Sequence, residues 1–192
     1  ENMKNGNWQT TVGRSLKGHT LGIFGLGKQG LQVANFGKAF GMEVIAWSHN
    51  LKRQDCEKLK IQYVNCTDLF KNSDVLTIHT RLSDRTKAFV DKTKLNLMKK
   101  DSVIINTSRG PIIKELDLIN AVNTNKISGA ALDVFDLEPL PRDHILRKTK
   151  NILLTPHIGY VSVEAYEKFF QGYVNAIDAF LKGKPINKIT IT

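Results

Sequence analysis

The chain has 192 residues, 41% of them hydrophobic and 24% charged, and its 28 Lys and Arg against 18 Asp and Glu leave a formal net charge of +10. This length suits one well-cored domain, with a second only if it is small. The composition is that of a soluble globular protein. It excludes long disorder, collagen-like repeats and a disulfide scaffold, and no apolar run approaches the ~18 residues of a membrane span.

Apolar runs of strand length alternate with helix-like stretches along the whole chain. The predicted strands are residues 20–24, 44–47, 61–64, 75–79, 103–106, 128–134 and 152–155. Helices are predicted from about residue 28 to 40, over 68–71 with Thr67 as a cap, over 113–123, and over about 162–181. This alternation predicts the α/β class, with repeated βα units forming a doubly wound parallel sheet flanked by helices.

The positive charge permits binding to anions, including nucleic acid and nucleotide phosphates. However, the cations are scattered in small groups such as Arg147, Lys148 and Lys150, without an aromatic-rich basic stripe or zinc-finger spacing. We interpret them as a solvated surface and expect neither nucleic acid nor membrane as a partner. Cys56 and Cys66 also lack metal-ligand spacing, so we expect no metal and interpret them as reduced thiols of an intracellular protein.

A glycine-rich run, Gly25-Leu26-Gly27-Lys28-Gln29-Gly30, follows the first predicted strand and opens the first predicted helix. It fits the pattern G-x-G-x-x-G, in which the first glycine permits a tight turn and the second the close approach of a pyrophosphate. The third allows the helix to pack closely on the strand. The helix that begins near Lys28 would direct its N–H groups and positive dipole end at the phosphates. We therefore predict a dinucleotide-binding loop in a Rossmann-type domain.

The residue that reads the adenine ribose should lie at the end of the second strand, about 20 residues further on. An acid there accepts a hydrogen bond from the 2′-hydroxyl of NAD and repels the 2′-phosphate of NADP. This chain has Ser48 instead, and Lys52 and Arg53 come before the first acid, Asp55. Two interpretations stay open: the two cations allow NADP to bind, or they begin a solvated helix. The predicted cofactor is thus NAD or NADP.

Three further motifs come at or just after the ends of predicted strands: Asn106-Thr107-Ser108-Arg109-Gly110, then residues 131–140 (ALDVFDLEPL), then Thr155-Pro156-His157-Ile158-Gly159. In a parallel sheet these ends meet at one edge, beside the nucleotide crevice. Arg109 offers a planar fork for a substrate carboxylate. His157 can exchange a proton near neutral pH, and Glu138 can orient that imidazole and stabilise its charged form.

In these motifs the chain resembles the nucleotide-binding domain of the D-isomer-specific 2-hydroxyacid dehydrogenases, over roughly residues 8–187. That family includes D-lactate and D-3-phosphoglycerate dehydrogenases and glyoxylate/hydroxypyruvate reductases. The resemblance implies that Arg109 binds the substrate carboxylate and carbonyl, and that Glu138 pairs with the catalytic His157. It also implies cofactor contacts at Thr80, Arg81, Thr107, Ser108, Asp133 and Gly159.

The implied activity is hydride transfer between NAD(P) and a small 2-keto or D-2-hydroxy acid, in a cytoplasmic homodimer. The family has an N-terminal substrate domain, so we expect residues 1–17 to be a helix or linker remnant of it. Residues 18–160 are then the NAD(P)-binding domain, and residues 161–192 a C-terminal helix and tail that return toward the substrate domain. We expect the isolated chain to bind a dinucleotide without appreciable turnover. Ser48 departs from the family's usual acid at that position.

A second function stays open, a nucleotide-sensing binding protein similar to the transcriptional corepressors that share this fold and triad. Formate dehydrogenase resembles the chain less, because that branch carries Gln where Glu138 stands. Four histidines have no partner in the sequence and are interpreted as structural: His19, His49, His79 and His144. The last predicted helix carries an apolar stripe, interpreted as core or as a subunit contact: Phe169, Tyr173, Ala176, Ile177 and Phe180.

Overall fold

The computed structural model describes residues 3–10 and 12–189. By its internal contacts the chain divides into two compact units, Glu1–Pro156 and His157–Thr192. The first unit contains the whole sheet, and the second contains the last helix. The domain roles predicted for residues 1–17, 18–160 and 161–192 stay predictions. No helix among the described residues is both long and apolar enough to span a membrane.

Within the described residues the first unit is built on one parallel sheet of seven strands, in the order β3-β2-β1-β4-β5-β6-β7. Its strands are β1 (Thr20–Phe24), β2 (Glu43–Trp47), β3 (Gln62–Tyr63), β4 (Val75–Ile78), β5 (Val103–Asn106), β6 (Gly129–Leu132) and β7 (Ile152–Leu154). The order reverses between β1 and β4, which is the point where doubly wound sheets bind ligands outside the carboxyl ends of their strands. The predicted Rossmann-type fold class is confirmed.

Helices connect these strands and cover the sheet. They are α1 (Lys28–Ala39), α2 (Arg53–Lys58), α3 (Cys66–Asn72), α4 (Lys92–Leu95) and α5 (Glu115–Asn123), with 3-10 turns at Met3–Asn5, Gly110–Ile112 and Ile145–Lys148. Leu21 and Ile23 of β1 pack with Ala34 of α1 in one apolar cluster, whereas Phe24 belongs to a second cluster with Leu69 of α3. Successive strand residues point to opposite faces, so β1 is buried on both.

The predicted elements agree closely with the observed ones. Two elements differ by three residues: β6 is observed as Gly129–Leu132 where residues 128–134 were predicted, and α3 as Cys66–Asn72 where residues 68–71 were predicted. The predicted cap of α3 is wrong: Asn65, not Thr67, caps this helix, because its Oδ1 accepts a 2.8 Å hydrogen bond from Asp68 N. The four-residue α4 was not predicted, because so short a helix shows no hydrophobic period.

The second unit is organised around α6 (Val163–Leu181). Ser162 Oγ accepts a 3.2 Å hydrogen bond from Ala165 N at its start, and Gly183, at φ +70°, ends it as predicted. No residue of α6 is buried, and Phe180 is 70% exposed. The apolar stripe is therefore exposed in the second unit, and its interpretation as a subunit contact stays a prediction.

Candidate active site

The turn after β1 places two glycines where no side chain fits. Gly25 has φ +105°, and a Cβ there would lie 2.6 Å from Thr80 N at the end of β4. A Cβ on Gly30 would lie 2.2 Å from the carbonyl oxygen of Gly25, so α1 approaches β1 closely. These are the close contacts that the fingerprint requires of its first and third glycines.

Gly27, in contrast, faces open space, because a Cβ there would have no atom within 4 Å. It is the N-cap of α1 and makes no side-chain capping bond, the first turn of α1 holds no acid, and Lys28 and Gln29 are exposed. A helix start of this kind attracts anions through its N–H groups and its dipole. The open space at the start of α1 fits the pyrophosphate of a dinucleotide, and a Cβ at Gly27 would occupy part of that space.

Aromatic and basic side chains surround the end of β2. The Trp47 ring stacks on those of Phe24 and Phe89, at centroid distances of 5.4 Å and 5.7 Å, and Ser48 beyond it is half-buried. Burial, and then the charge of Arg85, lower the pKa of His49. Arg85 is a cation at this edge that the sequence did not reveal, because it lies on a different loop.

Lys52 and Arg53 stand at the start of an exposed helix, Lys52 as the N-cap of α2 and Arg53 as its first residue. The Arg53 guanidinium lies 5.6 Å from the centre of the Tyr63 ring. This is the helix start that one interpretation expected. It leaves both side chains accessible to a ligand, so NADP binding stays a prediction.

Arg109 ends a turn that a buried asparagine holds in place. Asn106, the last residue of β5, donates from Nδ2 to the Arg109 carbonyl at 2.9 Å and accepts from Ser108 N at 3.0 Å. A Cβ on Gly110 would lie 2.1 Å from the carbonyl carbon of Phe135, so this turn packs directly on the loop that follows β6. The guanidinium itself is exposed and donates to the Ser108 carbonyl at 2.6 Å. The sequence analysis quoted Asn106 only as part of a motif and gave it no role, although a polar residue at the end of an apolar strand was the available signal.

The loop after β4 is joined to the same turn. Ser108 Oγ donates to the carbonyl oxygen of Thr80, and Thr107 beside it is exposed. Arg81 is also exposed, and its carbonyl accepts a 2.7 Å hydrogen bond from the buried Thr86 hydroxyl. The structure thus brings the residues predicted after β4 and β5 to one edge of the sheet.

Asp133 and Glu138 lie on the segment after β6. Asp133 is buried, accepts from Thr155 Oγ1 at 2.6 Å and donates its N–H to the Asn106 carbonyl at 3.0 Å. These bonds tie together the ends of β5, β6 and β7. Glu138 is exposed and accepts from Phe135 N through Oε1 at 2.8 Å. Thr155, which orients Asp133, had been quoted only as part of a motif.

His157 and Gly159 belong to the second unit. His157 is half-buried with φ +55°, and its ring meets that of Tyr160 edge-on at a centroid distance of 5.7 Å. Gly159 is exposed. The pairing of His157 with Glu138 stays a prediction. Of the other histidines, the structure gives His79 a 2.9 Å hydrogen bond to Thr77 Oγ1 and brings His144 to 3.4 Å from Glu115.

The fold and the glycine loop define a doubly wound dinucleotide-binding domain with an arginine presented at the carboxyl edge of its sheet. A family model described as the NAD binding domain of D-isomer specific 2-hydroxyacid dehydrogenases matches residues 1–159. The chain belongs to this family, and the resemblance inferred from the motifs is confirmed.

Curated proteins and solved structures are similar to this chain. The chain is 39% identical over 173 residues to a glyoxylate reductase of Aeropyrum pernix, covering 90% of this chain and 52% of that protein. It is similar to the solved structure of a phosphoglycerate oxidoreductase of Vibrio cholerae (TM-score 0.87, 37% identity, 95% of this chain, 60% of that one). It is also similar to a D-lactate dehydrogenase of Aquifex aeolicus complexed with NAD and lactic acid (TM-score 0.85, 30% identity, 95% and 60%). The chain spans about half the length of the curated relative that it matches.

Proposed function

We propose that this chain is the cofactor-binding part of an NAD(P)-dependent D-2-hydroxyacid dehydrogenase that reduces a small 2-keto acid. Family membership and the names of the similar proteins, a glyoxylate reductase and a D-lactate dehydrogenase, support this activity. The observation that supports this activity best is the position of the Arg109 turn. Asn106 holds the turn, which packs on the segment that bears Glu138. The turn lies at the sheet edge that also holds the dinucleotide loop. A nucleotide-sensing protein of the same fold remains the alternative.

The residues divide the work by position. The phosphates would lie against the loop from Gly25 to Gly30, with Lys28 and Gln29 at the helix start, and the adenine ribose near Ser48, Lys52 and Arg53. Thr80 and Arg81 would line the cofactor, and four residues would border the nicotinamide end: Thr107, Ser108, Asp133 and Gly159. When bound, the nicotinamide supplies the hydride that the substrate carbon receives.

The remaining chemistry belongs to three side chains. Arg109 binds the carboxylate of the keto acid in two parallel hydrogen bonds and polarises its carbonyl. Protonated His157 donates its Nε2 or Nδ1 proton to the forming alkoxide, and Glu138 orients the imidazole and stabilises its charged form. Positive charge from Arg109 and His157 meets the negative charge that develops on the carbonyl oxygen, usually the largest single contribution to catalysis.

We further propose that the protein is a cytoplasmic homodimer. Support for a dimer comes from α6, which exposes a continuous apolar face that includes Phe170, Tyr173, Ile177 and Phe180. Exposed apolar patches of this kind mark protein interfaces. The free thiols of Cys56 and Cys66 agree with a reducing compartment.

The experiment is an absorbance assay of NADH and NADPH oxidation with glyoxylate, hydroxypyruvate and pyruvate, in a protein that contains this chain. Arg109→Ala and His157→Ala should each lower kcat/KM by about 100- to 1,000-fold, the loss expected for one partner of a developing oxyanion. Dinucleotide affinity, measured by NADH fluorescence, should change little. Arg14→Ala is the matched control, since Arg14 is exposed and paired only with the exposed Asp101 among the ion pairs described. Dinucleotide binding without reduction of any keto acid would favour the nucleotide-sensing alternative.

A further inference from the structure

A cluster of titratable side chains lies beside the proposed site and is not used by the chemistry above. His144 Nε2 lies 3.4 Å from Glu115 Oε1, and both side chains are largely enclosed, 24% and 20% exposed. Glu115 is the first residue of α5, and His144 directly precedes the 3-10 turn Ile145–Lys148. The contact therefore joins the start of a core helix to the far end of the loop that carries Glu138.

That loop, residues 136–142, is held at other points by backbone contacts and by Leu140, which packs against the larger apolar cluster. At its start, Gly110 packs on the peptide that joins Phe135 to Asp136. At its end, Arg147 donates to the Leu140 and Pro141 carbonyls at 2.7 Å and 2.8 Å. These bonds stabilise the loop conformation, but Arg147 and the two carbonyl groups that it contacts lie in the same segment of the chain. The contact with Glu115 ties this end of the segment to α5.

The charges around the imidazole favour the same role. Asp136 also interacts electrostatically with His144, and Lys87 interacts with Asp136 from the loop after β4. Burial raises the pKa of Glu115 and of Asp136, and the charge of His144 opposes that rise at both carboxyl groups. The charge of Asp136 raises the pKa of Glu115 further. Without the imidazole, the two carboxylates would repel each other across the joint between α5 and the loop.

We propose that the Glu115–His144 contact positions Glu138, by fixing the loop of residues 136–142 against the start of α5. His144 is then a positioning residue for the acid–base pair, an assignment that rests on the proposed function. Glu138 connects to this joint through the loop backbone and through its own 2.8 Å hydrogen bond from Phe135 N. Glu138 lies six residues before His144 in the chain, so a displacement of His144 would also displace the Glu138 carboxylate.

The first measurement needs no catalysis. Hydrogen exchange of the Phe135 amide reports whether Glu138 still accepts its bond. His144→Gln and Glu115→Gln should each speed this exchange by about 10-fold, a shift of about 1.4 kcal/mol in local opening. Asp101→Asn, which removes an exposed ion pair, is the control and should leave the rate unchanged. His144→Gln leaves Glu115 at the start of α5, so it separates the contact from any effect of Glu115 on the helix itself. Unchanged exchange at Phe135 in both variants would overturn the proposal.

The second measurement is a double-mutant cycle in an active protein that contains this chain. Glu115→Gln and His144→Gln should lower kcat about 10-fold, less than the ~100-fold that a 1 Å misplacement can cost, with NADH affinity unchanged. In a Glu138→Gln background the same substitutions should have little further effect, because they act through Glu138. Additive losses would show that the pair is merely structural. If instead the protein binds NADH but reduces no keto acid while Phe135 exchange responds to His144→Gln, the proposed function fails and the positioning contact stands.

Discussion

The side chain of Asn106 donates a 2.9 Å hydrogen bond to the carbonyl oxygen of Arg109. Its amide oxygen accepts the Ser108 N–H at 3.0 Å, so one side chain satisfies two backbone groups of the turn that ends in Arg109. Asn106 itself is 1% exposed. The direction in which Arg109 leaves the sheet edge therefore depends on a side chain buried at the end of β5.

Asn106→Ala should lower the free energy of unfolding by about 1–3 kcal/mol, because two hydrogen bonds of a buried side chain are lost. It should also lower kcat/KM for the keto acid, because the Arg109 turn loses its support. Urea unfolding and steady-state kinetics measure the two effects. Asn123→Ala, at an exposed position of α5, is the control and should change neither. A stable Asn106→Ala protein with unaltered kinetics would contradict the supporting role.

Gly27→Ala and Gly30→Ala should affect different properties, the first dinucleotide affinity and the second the stability of the fold. At Gly27 a methyl group meets no atom within 4 Å, so the fold should keep its stability while dinucleotide affinity falls, because the methyl occupies the space of the pyrophosphate. At Gly30 the methyl would lie 2.2 Å from the Gly25 carbonyl, so stability itself should fall by about 1–3 kcal/mol. Thermal unfolding and NADH fluorescence titration separate the two outcomes. Equal NADH affinity for Gly27→Ala and the parent chain would show that the phosphates do not bind at this loop.

Glu138→Gln should lower kcat/KM for keto-acid reduction, because the neutral amide cannot stabilise the positive charge of its proposed partner His157. Steady-state kinetics of keto-acid reduction measure the loss. Glu167→Gln, an exposed acid of α6, is the control. An unchanged kcat/KM would show that Glu138 is not the partner of His157.

NADPH should bind at least as well as NADH, because Ser48 offers no carboxylate to repel a 2′-phosphate and three cations lie on the neighbouring segments: Lys52, Arg53 and Arg85. Ser48→Asp should reverse the preference. Calorimetric titration of both nucleotides decides the matter, and comparison of Arg53→Ala with Arg85→Ala shows which cation contributes. A large preference of the parent chain for NADH would mean that these cations face only solvent.

Asp74→Asn should remove a pH-dependent part of the stability. Burial alone would raise the pKa of Asp74, but hydrogen bonds from Lys99 Nζ and Thr20 N, both at 2.7 Å, and the nearby positive charges hold it below its ordinary value. A carboxyl group whose folded pKa is depressed stabilises the fold above its unfolded pKa, and this stability is lost as the pH falls through the folded value.

The parent chain should therefore exceed Asp74→Asn by about 1–2 kcal/mol in unfolding free energy at neutral pH, and the difference should shrink below pH ~4. Urea unfolding at a series of pH values measures it. Asp101→Asn, whose carboxylate is exposed, should show no such dependence. A difference that stays constant down to pH ~3 would contradict the linkage.

Much of the fold could be predicted because its signals are local. Most strands of the sheet are apolar runs that end at a turn, and the loop from Gly25 to Gly30 carries its glycines at a spacing set by backbone geometry. The cap of α3 was assigned wrongly because Asn65 and Thr67 are both capable residues, and only the backbone path decides which carbonyl or hydroxyl reaches the free N–H groups.

By itself the sequence determined the fold class, the phosphate loop and the family, since these depend on residue types at fixed short spacings. Only the tertiary structure decided which side chains come together from different elements: Thr155 bonds to Asp133, His144 contacts Glu115, and the charge of Arg85 acts on His49. The partners in these pairs lie on different elements, far apart in the chain. Their interaction depends on strand order and on the course of the loops, and neither produces a periodic pattern in the sequence.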